Sequence, residues 1–69
     1  MAMSIKKARM YKTARFIEKA WDIPEGFTPG EFVSVSYLYK SMGVPVFQCT
    51  NAAGSIAAIS EFELEDFVL

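Results

Sequence analysis

The sequence predicts a mainly β domain of about five strands with one short helical turn near the C-terminus. Three observations carry this expectation. Across residues 31–40, Val33, Val35, Tyr37 and Tyr39 alternate with Ser34 and Ser36, the period-two pattern of a half-buried strand. Turn signals recur at short spacing, as Thr28-Pro29-Gly30-Glu31, Lys40-Ser41-Met42-Gly43 and Asn51-Ala52-Ala53-Gly54. Residues 41–60 carry no charge, yet Gly43, Pro45, Gln48, Thr50, Asn51 and Gly54 break that stretch, so it reads as two buried strands and a turn rather than a membrane span. With 69 residues the chain is a single domain over 1–69, and 52% apolar with 14% aromatic residues excludes wholesale disorder, which is confined to residues 1–7.

The N-terminal segment supports two readings. On a helix, Met10, Ala14, Ile17 and Trp21 fall within an arc of roughly 60°, opposite Lys12, Arg15 and Lys19. That reading gives an alternative fold, an α+β domain with an N-terminal amphipathic helix on a three-stranded antiparallel sheet. On a strand, Ala8, Met10, Ala14 and Phe16 share one side and Arg9, Thr13 and Arg15 the other. Pro24 ends either element. Pro29 and Gly30 suit the centre of a type II turn launching the 31–40 strand, in which Tyr37 and Tyr39 share a face. Residues 44–50 form its antiparallel partner, with Pro45 near the start where a missing N–H is tolerated. Asn51 and Gly54 suit a type I turn into a third strand over residues 55–59. Ser60-Glu61-Phe62-Glu63 has the form of a capping box, so a helical turn carries Phe62 and Leu64 inward, and residues 67–69 add a last short strand.

From residue 30 onward this order resembles the second half of an SH3-like small β-barrel, most clearly over Gly54-Ser55-Ile56-Ala57-Ala58-Ile59-Ser60-Glu61-Phe62-Glu63-Leu64. The resemblance implies that residues 8–17 are the first strand, that residues 18–28 form a long loop, and that first and last strands pair. It does not carry function with it. Met10, Tyr11 and Lys12 lack the tyrosine pair of peptide-binding SH3 domains. Ile56-Ala57-Ala58-Ile59 lacks the Gln and Tyr of the type II dihydrofolate reductases that share the barrel.

Charge is strongly segregated. Residues 1–20 hold Lys6, Lys7, Arg9, Lys12, Arg15 and Lys19 against Glu18, a net of +5, while the remainder holds Lys40 against seven carboxylates, a net of −6. Pairing of the two chain ends would set Lys12, Arg15 and Lys19 beside Glu61, Glu63, Glu65 and Asp66. The lone Cys49 excludes an internal disulfide, and no apolar leader opens the chain, which indicates a cytoplasmic setting.

Catalytic chemistry has little to draw on. There is no histidine to serve as general base or metal ligand, Cys49 has no base partner, and no phosphate-cradling glycine motif occurs. The expectation is no enzyme, no cofactor, no metal, no membrane span and no small-molecule substrate. The leading function is a non-catalytic protein-interaction module, self-associating into a homo-oligomer or acting as an inhibitor-like accessory protein of the kind mobile elements encode, with Tyr39, Trp21 and Phe27 as candidate partner contacts, of which Trp21 and Phe27 read first as core or loop-packing residues. The alternative is a small nucleic-acid-binding barrel using Lys6, Lys7, Arg9, Lys12, Arg15 and Lys19, with Tyr11 and Phe16 as stacking rings.

Overall fold

A computed structural model describes residues 3–19 and 23–69. A single helical turn, α1 (Ile5–Ala8), opens the described chain within the segment expected to be disordered, capped by Ser4, whose hydroxyl accepts from the Lys7 N–H. Five antiparallel strands follow: β1 (Thr13–Phe16), β2 (Phe32–Ser41), β3 (Val44–Thr50), β4 (Ile56–Ser60) and β5 (Leu64–Val68), with a 3₁₀ turn, Glu61–Glu63, between the last two. The mainly β reading therefore holds, and the N-terminal amphipathic helix does not form. The first strand is also shorter than the 8–17 expected. Burying Ala14 and Phe16 completely needs only the strand period, whereas the helical stripe would have buried Met10, which is half exposed.

The strand order is β4-β3-β2-β1-β5, so the two ends of the polypeptide do lie side by side, Thr13 opposite Val68 and Phe16 opposite Leu64. Closure into a complete barrel does not occur, because β4 and β5 remain the two edges of the sheet. The sheet is nonetheless curled. Three residues of 3₁₀ turn join one edge strand to the other, and at about 2 Å of rise per residue their adjoining ends lie within roughly 10 Å.

Local chemistry sets the turns. Glu31 N–H donates to the Thr28 carbonyl at 3.1 Å with Gly30 at φ 79°, the type II turn expected there. β2 and β3 are joined by Met42 and Gly43, both at positive φ (50° and 82°), the pattern of a type I′ hairpin whose twist matches the strands. The 3₁₀ turn begins at Ser60, but the Ser60 side chain makes no capping bond, and Phe62 points outward while Leu64 is buried. The capping-box reading thus placed the turn correctly and misassigned Phe62.

One register change redirects β2. Tyr37 pairs with Phe47 but Tyr39 pairs with Val46, so Leu38 is an extra residue on β2. Since Phe47 and Val46 face opposite sides of their strand, Tyr37 and Tyr39 do too, and the shared face expected from simple alternation is lost. Tyr37 meets Phe47 edge-on, while Tyr39 is turned to the outer face and half exposed.

The core lies on the inner face of the curl: Ala14 and Phe16 of β1, Val33 and Val35 of β2, Phe47 and Cys49 of β3, Ile59 of β4 and Leu64 of β5, together with Ala8 and Phe27. Phe27 packs its ring 5.3 Å from that of Phe16, and Phe67 bridges Phe47 and Tyr11 at 5.3 and 4.9 Å. Asn51, the one buried polar residue among the described residues, pins the long β1–β2 loop to this core. Its Oδ1 accepts from the N–H groups of Ala53 and Ser55, and its Nδ2 donates to the Gly26 carbonyl at 2.6 Å. Gly26 is at φ 93°, and a Cβ there would stand 2.5 Å from Ser55 Oγ, so only glycine allows the approach. Replacing Asn51 by Ala removes these three bonds and strands a partly buried carbonyl, and is expected to cost about 2–4 kcal/mol in urea unfolding. A cost below about 0.5 kcal/mol would show the loop to be held by apolar packing alone.

Candidate interaction surface

The segregated charges are only partly reunited by the fold. Glu65 lies directly across from Arg15 in the β1–β5 register, and one extra residue on β5, Asp66 at φ 52°, bulges the strand. The bulge brings two consecutive carboxylates to one side. Arg15 Nη2 donates to Glu65 Oε2, and Arg15 Nε, itself buried, faces Asp66 Oδ2 at 3.4 Å. The hydrogen bond to Glu65 raises the Arg15 pKa further, against a smaller opposing effect of desolvation. Both carboxylates are partly exposed, so solvent screens the pairs and they serve the register more than the stability.

The other cations behave differently from the expectation. Lys19 lines the same cleft as Arg15 and Glu65, yet neither it nor Lys12 makes an ion pair with a described residue. Glu61 is engaged by the Met3 N–H instead, at 3.0 and 3.2 Å from its two oxygens. Lys6, Lys7, Arg9 and Lys12 are exposed, and Arg9 lies over the Tyr37 ring at 5.7 Å from its centroid. The rings that the nucleic-acid reading placed among them are turned inward: Phe16 is fully buried, and Tyr11 is half-buried against Phe67. The segment presents charge without a stacking platform.

Of the expected partner contacts, Tyr39 is on the surface, Phe27 is buried against Phe16, in keeping with its reading as a core or loop-packing residue, and Trp21 lies outside the described residues. Alternation alone puts Tyr37 and Tyr39 on one face, and only the position of Tyr39 at the strand end points it to the surface.

The surface feature missed by sequence reasoning is an edge. β4 reads Ile56-Ala57-Ala58-Ile59-Ser60, has no charge, no proline and no bulge, and pairs with β3 without interruption from Val46–Ser60 to Thr50–Ile56. Asn51 N–H donates to the Ser55 carbonyl, so by alternation Ser55, Ala57 and Ile59 turn their backbone groups toward β3 and Ile56, Ala58 and Ser60 turn theirs outward. No described strand receives them. Ile56 and Phe62 add side chains 63% and 64% exposed at the two ends of this edge. The opposite edge, β5, is guarded by Glu65, Asp66 and its bulge, devices that prevent strand addition. The signal was present in the uncharged run; what was missing was its position at the sheet boundary.

Other chemistry is sparse. A shallow cleft of about 490 Å³ on the outer face is lined by Thr13, Phe32, Ser34, Thr50, Asn51 and Ala52, side chains that offer hydrogen bonds and apolar contact but no titrating group. Among the described residues no cluster of three potential metal ligands forms, and no helix is long and apolar enough to cross a membrane. No family model, curated protein or solved structure matches the chain.

Cys49 is fully buried in β3, and desolvation pushes its thiol up to about 12. The folded thiol therefore stays protonated where the unfolded one ionises, so its contribution to stability is level below about pH 9 and declines as pH rises from there toward 12. Iodoacetamide at about pH 8 is expected to leave folded Cys49 unmodified over the time in which it alkylates the urea-unfolded chain completely. Equal rates in the two states would contradict the burial.

Proposed function

We propose that this chain is a non-catalytic protein-interaction module on an SH3-like small barrel, acting in the cytoplasm and associating with copies of itself. The strand order, with the last strand beside the first, supports the barrel assignment, and the lone thiol held away from any base suits a reducing compartment. The observation that carries the reading is the contrast between the sheet's two edges. β5 is charged and bulged, β4 is bare, and natural proteins leave a neutral, regular edge open where another strand adds to it. A small domain also gains stability by self-association, since its own core is limited.

Static light scattering across a wide concentration series is expected to give a mass that rises from the 7.7 kDa monomer toward twice that value. A strict monomer at the highest concentrations would count against self-association.

The nucleic-acid reading retains one favourable observation, the exposed Lys6, Lys7, Arg9 and Lys12, none in an ion pair with a described residue. With Tyr11 and Phe16 of that segment turned inward, such binding would rest on phosphate contact, of low affinity and lost as salt rises. A gel shift with single- and double-stranded probes at low salt is expected to show no retardation. Retardation that disappears with added salt and with Lys6, Lys7 and Lys12 changed to Gln would move the assignment to this alternative.

A further inference from the structure

We infer that the occupant of the β4 edge is β4 of a second copy, paired antiparallel about a two-fold axis that runs between the two Ala58 residues; this rests on the self-association reading above. The register follows from which backbone groups are free. Ile56, Ala58 and Ser60 direct their N–H and C=O groups away from β3, and they are evenly spaced about Ala58. Antiparallel pairing on that centre sets Ala58 opposite Ala58 of the second copy and Ile56 opposite its Ser60. The outward N–H groups of each strand then face outward carbonyls of the other, giving four hydrogen bonds to the Ile56 and Ala58 carbonyls and two to Ser60 carbonyls that also accept within the 3₁₀ turn, and one continuous sheet across the two molecules.

Charge selects this occupant over others. A two-fold axis sets the central residue opposite its own duplicate and Ile56 opposite Ser60, so a Lys or Glu at the centre would repel its copy, and β4 carries no charge at any of these positions. A methyl group at the axis leaves the strands free to approach. Head-to-tail pairing of β4 with β5 of another copy would propagate into an open filament, but the bulge at Asp66 breaks the regular ladder that β4 would need. The two-fold arrangement closes on itself. It also places Phe62, two residues beyond Ser60, next to the end of β4 in the second copy where Ile56 lies, so the two most exposed apolar side chains of this edge are covered together.

The test uses Ala58, whose side chain is on the outer, exposed face and whose replacement leaves the β3 ladder and the core untouched. Ala58→Lys sets two ammonium groups opposite each other at the axis, and Ala58→Glu two carboxylates. Each variant alone is expected to associate about tenfold more weakly than the parent in sedimentation equilibrium, and an equimolar mixture of the two is expected to recover parental association as a mixed dimer. Circular dichroism and urea unfolding of each variant confirm that the monomer fold is kept, and Met42→Lys, at the fully exposed hairpin tip away from β4, is expected to change nothing. Association that survives Ala58→Lys undiminished, or a mixture that fails to recover it, overturns the β4 assignment while leaving self-association through another surface standing. A parent protein that stays monomeric throughout overturns both.

Discussion

The pairing of β1 with β5 is the constraint on which the remaining architecture depends. It joins residues some fifty positions apart, Arg15 to Glu65 and Phe16 to Leu64, and so bears most of the loop-closure entropy of the fold. Once made, it fixes which strands are left at the boundary. β1 becomes internal, β5 becomes one edge, and β4, delivered by a three-residue turn, becomes the other. The Asp66 bulge follows from the same pairing: an extra residue on β5 lets two consecutive carboxylates converge on one guanidinium, at the cost of one non-glycine residue in the left-handed region.

Two further devices support this arrangement from outside the ladder. Asn51 ties the loop between β1 and β2 to the turn between β3 and β4, so the segment least supported by strand pairing is held by a buried polar contact that only a glycine at position 26 can accept. The extra residue at Leu38 rotates the far end of β2, keeping Tyr37 over Phe47 while presenting Tyr39 to solvent. In both places irregular backbone is what shapes the surface.

Function and folding meet at the two edges. Opposite charges meet at β1 and β5, where Arg15 pairs with Glu65 and Asp66 and the carboxylates guard that edge, while β4 carries no charge, the contrast on which the proposed self-association rests. The lysines of α1 and its flank, in no ion pair with a described residue, lie apart from that neutral edge in sequence and are not called upon by the self-association reading.

Much of the fold was legible from residues alone. Alternation through Val33 and Val35, the Pro29-Gly30 and Asn51–Gly54 turns, and the uncharged run after Ser41 are local signals, set by side-chain period and backbone conformational preference, and they located β2, β3, β4 and the turns between them. The burial of Cys49 was equally readable, because a neutral thiol among β-branched and aromatic neighbours packs as an apolar group. Tertiary structure alone settled the strand character of residues 13–16, since their pattern fits both periods and only a neighbour on each side resolves it. It settled likewise the opposite facing of Tyr37 and Tyr39 and the standing of Ile56 to Ser60 as an edge with no described strand beside it. Composition states what a strand is made of, whereas its place at the border of a sheet depends on which distant segments pair, a property of long-range contacts that no local window contains.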